Sequence, residues 1–376
     1  MTSSQPVHAP PRAGGVVVAI PVRNEADKIA ACLAAFARQD FDGVFDLLFL
    51  LNNCTDATAG IIADFPASRM RVHVETRVFP PHLANAGHAR RVAMLAARRL
   101  AGPHGVLLST DADSTVAPDW IRRNIEIIAD GADAVAGRIE MDPEDFARLP
   151  PRLHDDEARA QTLARLIDAI DATADPVVHD PWPRHAEHSG ASIAVTCAAH
   201  DAAGGIPRMP SSEDRAFFAA LRGIDARIRH APEVIVTVSG RLDGRAPGGM
   251  AETLRRRMAA PDEWLDDCIE PARNRLRRSR LRHSARQLRA DARHGALTWR
   301  DVEGLSTELA LCRGVVAGLL TDAPSFGGMW KRLEALSPRL GHCRVPARDL
   351  EAEIAVASGL LRQLTGARPV PQTAAA

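Results

Sequence analysis

The stretch GVLLSTDADSTVAPDW, residues 105–120, decides the fold of the amino-terminal half of the chain. Its apolar run at 106–108 predicts a buried strand, and Pro118 predicts the first turn of a following helix. Between them stand two carboxylates one residue apart, Asp111 and Asp113. Two ionised acids this close repel each other, and a divalent cation with oxygen ligands is the simplest compensation. The residues leave open an Asx-type turn that only caps the next helix.

Further apolar, often β-branched runs lie on both sides of this stretch and are separated by segments of helical spacing. They lie at residues 16–20, 47–51, 72–74 and 134–136. Strands that alternate with helices predict an α/β fold with a Rossmann-like, mostly parallel central sheet flanked by helices. Ligands bind such sheets at the carboxyl ends of the strands, where polar turns stand here. The sequence has no GxGxxG after the first strand and no GxxxxGK[ST], which disfavours dinucleotide-dependent dehydrogenases and P-loop enzymes.

Strand signals return at 189–195 and 234–238 and stop near residue 249. Beyond that point the spacing predicts helices at 250–258, 263–293, 299–320 and 348–364. We therefore predict four segments: a disordered leader at 1–14, an α/β domain at 15–248, a helical C-terminal extension at 249–366 and a loose tail at 367–376.

Composition bounds the class of protein. The 376 residues are 46% hydrophobic and carry no formal net charge, so a folded core is expected and bulk charge does not indicate nucleic acid or membrane. The six cysteines form no CxxC pair, which argues against a zinc site or a redox motif and fits a reducing cytoplasm. No apolar run is long enough to predict a spanning helix.

One segment has a strong charge bias: residues 271–300 contain ten arginines and a single acid, Asp291. Such a segment attracts phosphates, so peripheral contact with the inner face of an anionic membrane is one interpretation. The other is a set of helices that packs on the α/β domain or forms a homodimer. A nucleic-acid partner is not expected, because aromatic residues for base stacking make up only 4% of the chain.

The order of the polar turns resembles that of a family 2 glycosyltransferase, a nucleotide-sugar-dependent family with a GT-A fold. Residues 20–25, IPVRNE, are similar to P-x-[YF]-N-E, with Arg23 where an aromatic residue is usual. Residues 52–56, NNCTD, stand where the family has D-[DN]-x-S-x-D. Residues 86–92, AGHARRV, resemble G-x-x-x-A-[RK]-N, and residues 111–113, DAD, resemble the D-x-D motif.

Two further motifs extend the resemblance, which covers residues 16–238. Residues 189–192, SGAS, are similar to G-[AG]-N-x-A, and residues 204–206 followed by Glu213 and Asp214 match G-G-[FI] … E-D. The resemblance implies a nucleotide-binding half at 15–140 and an acceptor half at 141–248. It also implies a nucleoside-diphosphate sugar as donor and an acceptor that the motifs do not identify.

The resemblance further implies roles for single residues. Asp113 would bind Mn²⁺ or Mg²⁺ directly, and Asp111 would bind the ribose or a metal-held water. Many relatives add a histidine where Ser239 stands here, so His230 is an alternative third ligand. The residues expected to contact substrate are Pro21, Arg23, Glu25, Asn53, Asp56, Arg90, Asp111, Ala112, Ser189, Gly190, Arg241 and Arg245. For Asn53 the alternative is turn chemistry, and for the arginines it is a solvated surface.

Asp214 is the general base that the resemblance implies, with Glu213 beside it as the second catalytic acid. A carboxylate at the start of a helix is stabilised by the helix dipole, although it can equally serve only as a helix-terminal acid. The predicted reaction is an inverting, metal-assisted sugar transfer to a hydroxyl. A retaining transferase, a sugar-1-phosphate nucleotidyltransferase and a non-catalytic binding module are the alternatives.

Overall fold

The computed structural model describes residues 14–66, 69–244 and 249–366. The chain divides into two units. The first comprises Met1–Val135, Ser189–Phe217 and Val234–Val238, and the second comprises Ala136–His188, Phe218–Glu233 and Ser239–Ala376. The predicted boundary at residue 248, between a catalytic α/β domain and a helical extension, stays a prediction. Nearly all of the predicted leader and the whole of the predicted tail lie outside the described residues.

In the part of the chain that the structure describes, eight strands form one sheet in the order β3-β2-β1-β4-β7-β6-β8-β5. They are β1 Val16–Val22, β2 Phe45–Asn52, β3 Met70–Arg77, β4 Val106–Ser109, β5 Thr115–Val116, β6 Ala134–Met141, β7 Ile193–Thr196 and β8 Ile228–Val238. The neighbours of β1 and β2 are parallel, whereas β7 runs antiparallel to β4 and β5 antiparallel to β8. The predicted α/β sheet is therefore confirmed.

Fourteen α-helices occur among the described residues. They are α1 Ile29–Ala37, α2 Thr58–Asp64, α3 Ala86–Ala101, α4 Trp120–Ala129, α5 Pro143–Ala147, α6 Pro151–Ala174, α7 Cys197–Ala202, α8 Glu213–Gly223, α9 Met250–Ala259, α10 Ala272–Arg293, α11 Trp299–Leu309, α12 Arg313–Asp322, α13 Phe326–Leu336 and α14 Leu350–Thr365. The predicted C-terminal helical extension is therefore present.

The strands nearest the acidic turn are mostly apolar because both faces of this part of the sheet are covered. Every residue of β2 is buried, and β1 is buried from Val17 to Ile20. The register pairs Ala19 with Ser109, the last residue of β4, and pairs Val22 with Leu51. The turns that follow these three strands therefore leave the sheet on the same edge.

The indole of Trp120 anchors the helix that follows the acidic turn. It is fully buried, meets Phe36 edge-on at 6.3 Å between ring centroids, and donates from Nε1 to Ser192 Oγ at 3.0 Å. A buried indole N–H needs such a partner, because an unpaired one would lose its hydrogen bond with water. This residue fixes the start of α4 and therefore the far end of the acidic turn.

Two of the predicted C-terminal helices differ in the structure. The helix predicted from residue 263 begins only at Ala272, because Pro271 fits the start of a helix and disfavours a helical residue before it. The helix predicted at 299–320 is two helices that meet at 112°, since Ala310 adopts a left-handed backbone conformation with φ 54°. Helix α13 was not predicted.

Most arginines of α10 are used inside the second unit. Arg278 binds Glu270 and Glu334, and Arg282 binds Asp171 and Asp175. Others contact Glu270, Asp175, the ring of Phe326, or the carbonyl oxygens of Leu320 and Ala323. Much of the positive charge that suggested a phosphate-binding surface is therefore compensated within this unit, while membrane contact and a homodimer stay predictions.

Among the described residues, no single helix has the length and apolar character needed to cross a membrane. Helices α11 and α12 together meet the criterion of length and composition, but only as a bent pair.

Candidate active site

The acidic turn presents its two carboxylates on either side of a buried residue. Asp111 and Asp113 are partly exposed, whereas Ala112 between them is buried. The amide of Ser114 donates to the carbonyl oxygen of Asp111 at 3.2 Å and closes the turn. Thr110 and Ser114 point inward, so the only side chains of the turn that face outward are acids.

A buried arginine lies behind this turn. Arg90, in the second turn of α3, is 4% exposed and donates from Nη2 to Asp111 Oδ1 at 2.6 Å and from Nε to Glu213 Oε1 at 2.9 Å. Its Nη1 donates to Ser109 Oγ and to the carbonyl oxygen of Gly190, both at 2.8 Å. Four of its five N–H groups thus bind protein acceptors. Burial alone would lower the pKa of Arg90, but the carboxylates of Asp111 and Glu213 outweigh burial and raise the pKa.

The predicted base lies at the start of α8, next to this cluster. Asp214 accepts a hydrogen bond on Oδ2 from the amide of Gly190 at 2.8 Å and one on Oδ1 from the amide of Arg215 at 2.7 Å. Its neighbour Glu213 is buried against Arg90. The structure therefore brings together Asp111, Arg90, Gly190, Glu213 and Asp214 in the first unit.

The first two polar turns are hydrogen-bonded to each other. Asn24 Oδ1 accepts from the amide of Thr55 at 2.8 Å, and Thr58 Oγ1 accepts from the amide of Glu25 at 2.8 Å. Asp56 accepts from the amide of Ala26 and from both donors of Thr58. Partial burial would raise the pKa of Asp56, but these hydrogen bonds lower it overall. The two turns form one rigid edge of the sheet.

Both ends of the Asn53 side-chain amide are hydrogen-bonded within the protein. Its Nδ2 donates to the carbonyl oxygen of Phe79 and its Oδ1 accepts from the amide of Phe79, both at 2.9 Å. The backbone of Asn53 is left-handed, with φ 52°, which asparagine tolerates better than most residues. This geometry favours the alternative of turn chemistry for Asn53, although its role toward substrate stays a prediction.

The other residues predicted to contact substrate lie in several places. Pro21 lies in β1, and Arg23 donates from Nη1 to the carbonyl oxygen of Ala84 at 2.5 Å. Glu25 is buried, and Ser189 Oγ accepts from the amide of Ala191 at 3.2 Å. Arg241 belongs to the second unit, where its amide donates to Ser239 Oγ, and Arg245 lies outside the described residues.

His230, the alternative third metal ligand, has both ring nitrogens occupied in the second unit. Its Nδ1 lies 2.8 Å from Asp180 Oδ2, and its Nε2 lies 3.1 Å from Nε2 of His188. Ser239, at the position where many relatives have histidine, lies 3.4 Å from Asp145. Across residues 14–66, 69–244 and 249–366, no group of three His, Cys, Asp or Glu side chains could hold a metal ion.

Two residues of the site were not predicted, and each had a weak signal. Ser109 is the last residue of β4, and its hydroxyl is the one small polar group of that apolar run. Thr58 opens α2 and accepts from Glu25 across a separation of 33 residues. The polar type of each residue was visible, but the partner that gives it a role lies far away in sequence.

An α/β sheet flanked by helices, with carboxylates at the ends of its strands, is the arrangement predicted for a GT-A type transferase. Residues 17–186 match the family model described as Glycosyl transferase family 2. The predicted resemblance to family 2 glycosyltransferases is thereby confirmed over these residues. No curated protein matches the chain.

Solved structures resemble the chain distantly. Residues 1–349 of TarS from S. aureus in complex with UDP are 14% identical, with 95% of this chain and 94% of that chain covered and a TM-score of 0.45. The mannosyltransferase PcManGT from Pyrobaculum calidifontis, in complex with GDP-Man and Mn²⁺, is 17% identical over 95% and 86%, with a TM-score of 0.44. Glucosyl-3-phosphoglycerate synthase from Mycobacterium tuberculosis, in complex with Mn²⁺, uridine diphosphate and phosphoglyceric acid, is 18% identical over 67% and 81%, with a TM-score of 0.37.

Proposed function

We propose that this glycosyltransferase moves a sugar from a nucleoside-diphosphate sugar to an acceptor hydroxyl with inversion at the anomeric carbon, and that Asp214 is the general base. One observation carries the proposal. The outward-facing acid Asp111 and the carboxylate of Asp214 are joined by a continuous run of hydrogen bonds through Arg90 and Gly190. A single displacement needs a base at the attacking hydroxyl and stabilisation of the leaving group, and Asp214 and Asp111 are the candidates for these two positions.

The chain's own residues supply orientation and proton transfer. Two backbone amides hold the two oxygens of Asp214, which fixes the carboxylate plane while each oxygen keeps a further acceptor site. Asp214 accepts the proton of the acceptor hydroxyl as that oxygen bonds to the anomeric carbon. The bond from the same carbon to the diphosphate oxygen breaks, and the nucleoside diphosphate leaves with the electron pair.

Asp113 and Asp111 are the residues that would hold Mn²⁺ or Mg²⁺. Both are partly exposed carboxylates, and oxygen donors are the ligands that these ions prefer. One oxygen of Asp111 already binds Arg90, so its other oxygen would be the one turned to the ion. When bound, the ion would stabilise the negative charge of the leaving diphosphate.

Release of nucleoside diphosphate tests the proposal. Wild type, Asp113→Ala and Asp214→Asn are compared on a panel of UDP- and GDP-sugars with Mn²⁺ or Mg²⁺, and Asp64→Asn, an exposed acid of the same unit, is the matched control. Loss of the base should lower kcat by about 10²–10⁴-fold. NMR of the product should show the anomeric configuration inverted. Wild-type turnover in Asp214→Asn would refute the role of this residue, and retained configuration would refute inversion.

A further inference from the structure

The guanidinium of Arg90 lies where the donor side and the acceptor side of the site meet. The family resemblance implied that it contacts substrate, but four of its N–H groups are committed to Asp111, Glu213, Ser109 and Gly190. We propose that Arg90 is a positioning residue that fixes the Asp111 carboxylate directly and the Asp214 carboxylate through Gly190. This inference rests on the proposed function of Asp214.

Gly190 makes the connection because its two backbone polar groups serve opposite partners. Its carbonyl oxygen accepts from Arg90 Nη1 at 2.8 Å, and its amide donates to Asp214 Oδ2 at 2.8 Å. Both bonds have ordinary lengths and both involve one charged group, which makes them stronger than neutral pairs. A shift of the guanidinium therefore moves the backbone that orients the base.

The contact between Arg90 and Gly190 leaves no room for a side chain. A Cβ added at Gly190 would lie 2.5 Å from Cζ and from Nη2 of Arg90, well inside van der Waals contact. The end of an arginine side chain can often move aside, but this one is buried and held by Asp111 and Glu213 on its other edges. Gly190 is thus required by packing against the guanidinium.

Arginine is also required for its shape. The four acceptors surround the planar group on different edges, and two of them are carboxylates that bind different nitrogens. A lysine ammonium keeps the charge but offers three donors from a single nitrogen, so it cannot bind Asp111 and Glu213 in the same arrangement. Arg90→Lys therefore tests whether the positive charge alone is sufficient or whether the arrangement of the guanidinium hydrogen bonds is needed.

Two substitutions approach the contact from opposite sides. Arg90→Lys keeps the charge and removes the forked geometry, whereas Gly190→Ala keeps every charge and displaces the guanidinium. Both should lower kcat by about 10²-fold, the expected effect of misplacing a catalytic group by about 1 Å. The KM for the donor and the affinity for UDP or GDP, measured by calorimetry, should change by less than about threefold, since remote binding contacts are kept. The double variant should lose little more than either single variant, because both break one connection.

Arg98→Ala is the control, since Arg98 lies on the same helix and forms an exposed ion pair with Asp201 away from the site. It should leave kcat unchanged. Ser109→Ala deletes only a hydroxyl that Arg90 Nη1 contacts. It should lower kcat several-fold without changing KM. This variant tests the positioning role even if Arg90→Lys or Gly190→Ala does not fold.

The outcomes separate the two proposals. Weaker nucleotide binding in Arg90→Lys with unchanged kcat, or strictly additive losses in the double variant, would overturn the positioning role in favour of direct phosphate contact. If Asp214→Asn is inactive while Gly190→Ala, Arg90→Lys and Ser109→Ala turn over like wild type, only the positioning inference fails. If Asp214→Asn keeps wild-type turnover, the proposed base itself is wrong.

Discussion

Asp168 and Asp171, one turn apart on α6, should respond to substitution in opposite ways. Burial raises the pKa of Asp168 to about 7, and the nearby charge of Arg275 offsets only part of this. Burial also acts on Asp171, but Arg282, Arg275 and Arg184 outweigh it and lower the pKa of that carboxyl well below its usual range. Asp171 accepts from both arginines that reach it, at 2.6 Å from Arg184 and 3.0 Å from Arg282.

Whether Asp168 stabilises or destabilises the fold at a given pH depends on whether the folded or the unfolded state holds its proton more tightly. The ordinary pKa of Asp168 is 3.8, so the unfolded chain gives up this proton before the folded protein, whose value is about 7. The contribution of Asp168 to stability is therefore fully present below pH 3.8 and is lost as the pH rises to about 7. At about 1.4 kcal/mol per unit, the loss is at most on the order of 4 kcal/mol. Asp168→Asn removes the titration, so its stability relative to wild type should rise by about 2–3 kcal/mol between pH 5 and pH 8.

Urea unfolding followed by circular dichroism at pH 5 and pH 8 measures this difference. Asp171→Asn is the matched control, because it breaks a buried ion pair on the same helix and should cost about 3–5 kcal/mol at both pH values. The contribution of Asp171 is present above its unfolded pKa and is lost only in strong acid, since its folded pKa is lowered. A free energy for Asp168→Asn that differs from wild type by the same amount at both pH values would refute the argument.

Two further predictions concern the second unit. Burial, with a smaller effect of the nearby His230, lowers the pKa of His185 from 6.5 to about 4, so stability should fall as the pH drops from 6.5 toward 4. His185→Gln should remove on the order of 2–3 kcal/mol of that loss, and equal acid sensitivity of both proteins in urea unfolding would contradict it. A Cβ at Gly327 would overlap the carbonyl oxygen of Arg222, so Gly327→Ala should lower the melting temperature. Gly304→Ala, which enters open space on α11, should gain about 0.5–1 kcal/mol, and a similar effect of both substitutions in thermal unfolding would disprove the steric argument.

The strands that carry the site could be located from the sequence, with ends that differ by up to four residues. The strand predicted at 106–108 is observed as β4, Val106–Ser109. The strand predicted at 47–51 is observed as β2, Phe45–Asn52. Strands buried on both faces are unbroken apolar runs, and a polar turn marks their ends. The strand predicted at 189–195 begins only at Ile193, because residues 189–192 form a turn closed by the amide of Ser192 on the carbonyl oxygen of Ser189.

The helices of the second unit were predicted less well for a physical reason. In α10 the arginines that pair with buried acids occupy positions that an amphipathic pattern assigns to solvent. Their partners Asp171 and Asp175 lie more than a hundred residues earlier, so the pattern gives no sign of the pairing. Proline at 271 and the left-handed Ala310 then set helix ends that spacing alone did not predict.

Two neighbouring arginines of α3 also show that a sequence pattern does not reveal a partner that lies far away in the chain. Arg90 and Arg91 are adjacent in sequence, and successive residues of a helix point about 100° apart. Arg90 is buried and meets Glu213 across 123 residues, whereas Arg91 donates to the carbonyl oxygen of Ile206. The resemblance singled out Arg90 as a substrate contact, but only the three-dimensional arrangement shows that its guanidinium binds acceptors within the protein.

The contact with Arg90 changes the charge balance of the acidic turn. Repulsion between Asp111 and Asp113 was the first argument for a divalent ion, but the guanidinium already neutralises one of the two acids. Negative potential nevertheless persists nearby: the pKa of the Cys32 thiol is raised first by burial and then by Asp113, Asp111 and Glu25. Since Arg90 compensates Asp111 within the protein, the electrostatic case for a metal would come, under the proposed function, from the charge that a departing diphosphate brings to this turn.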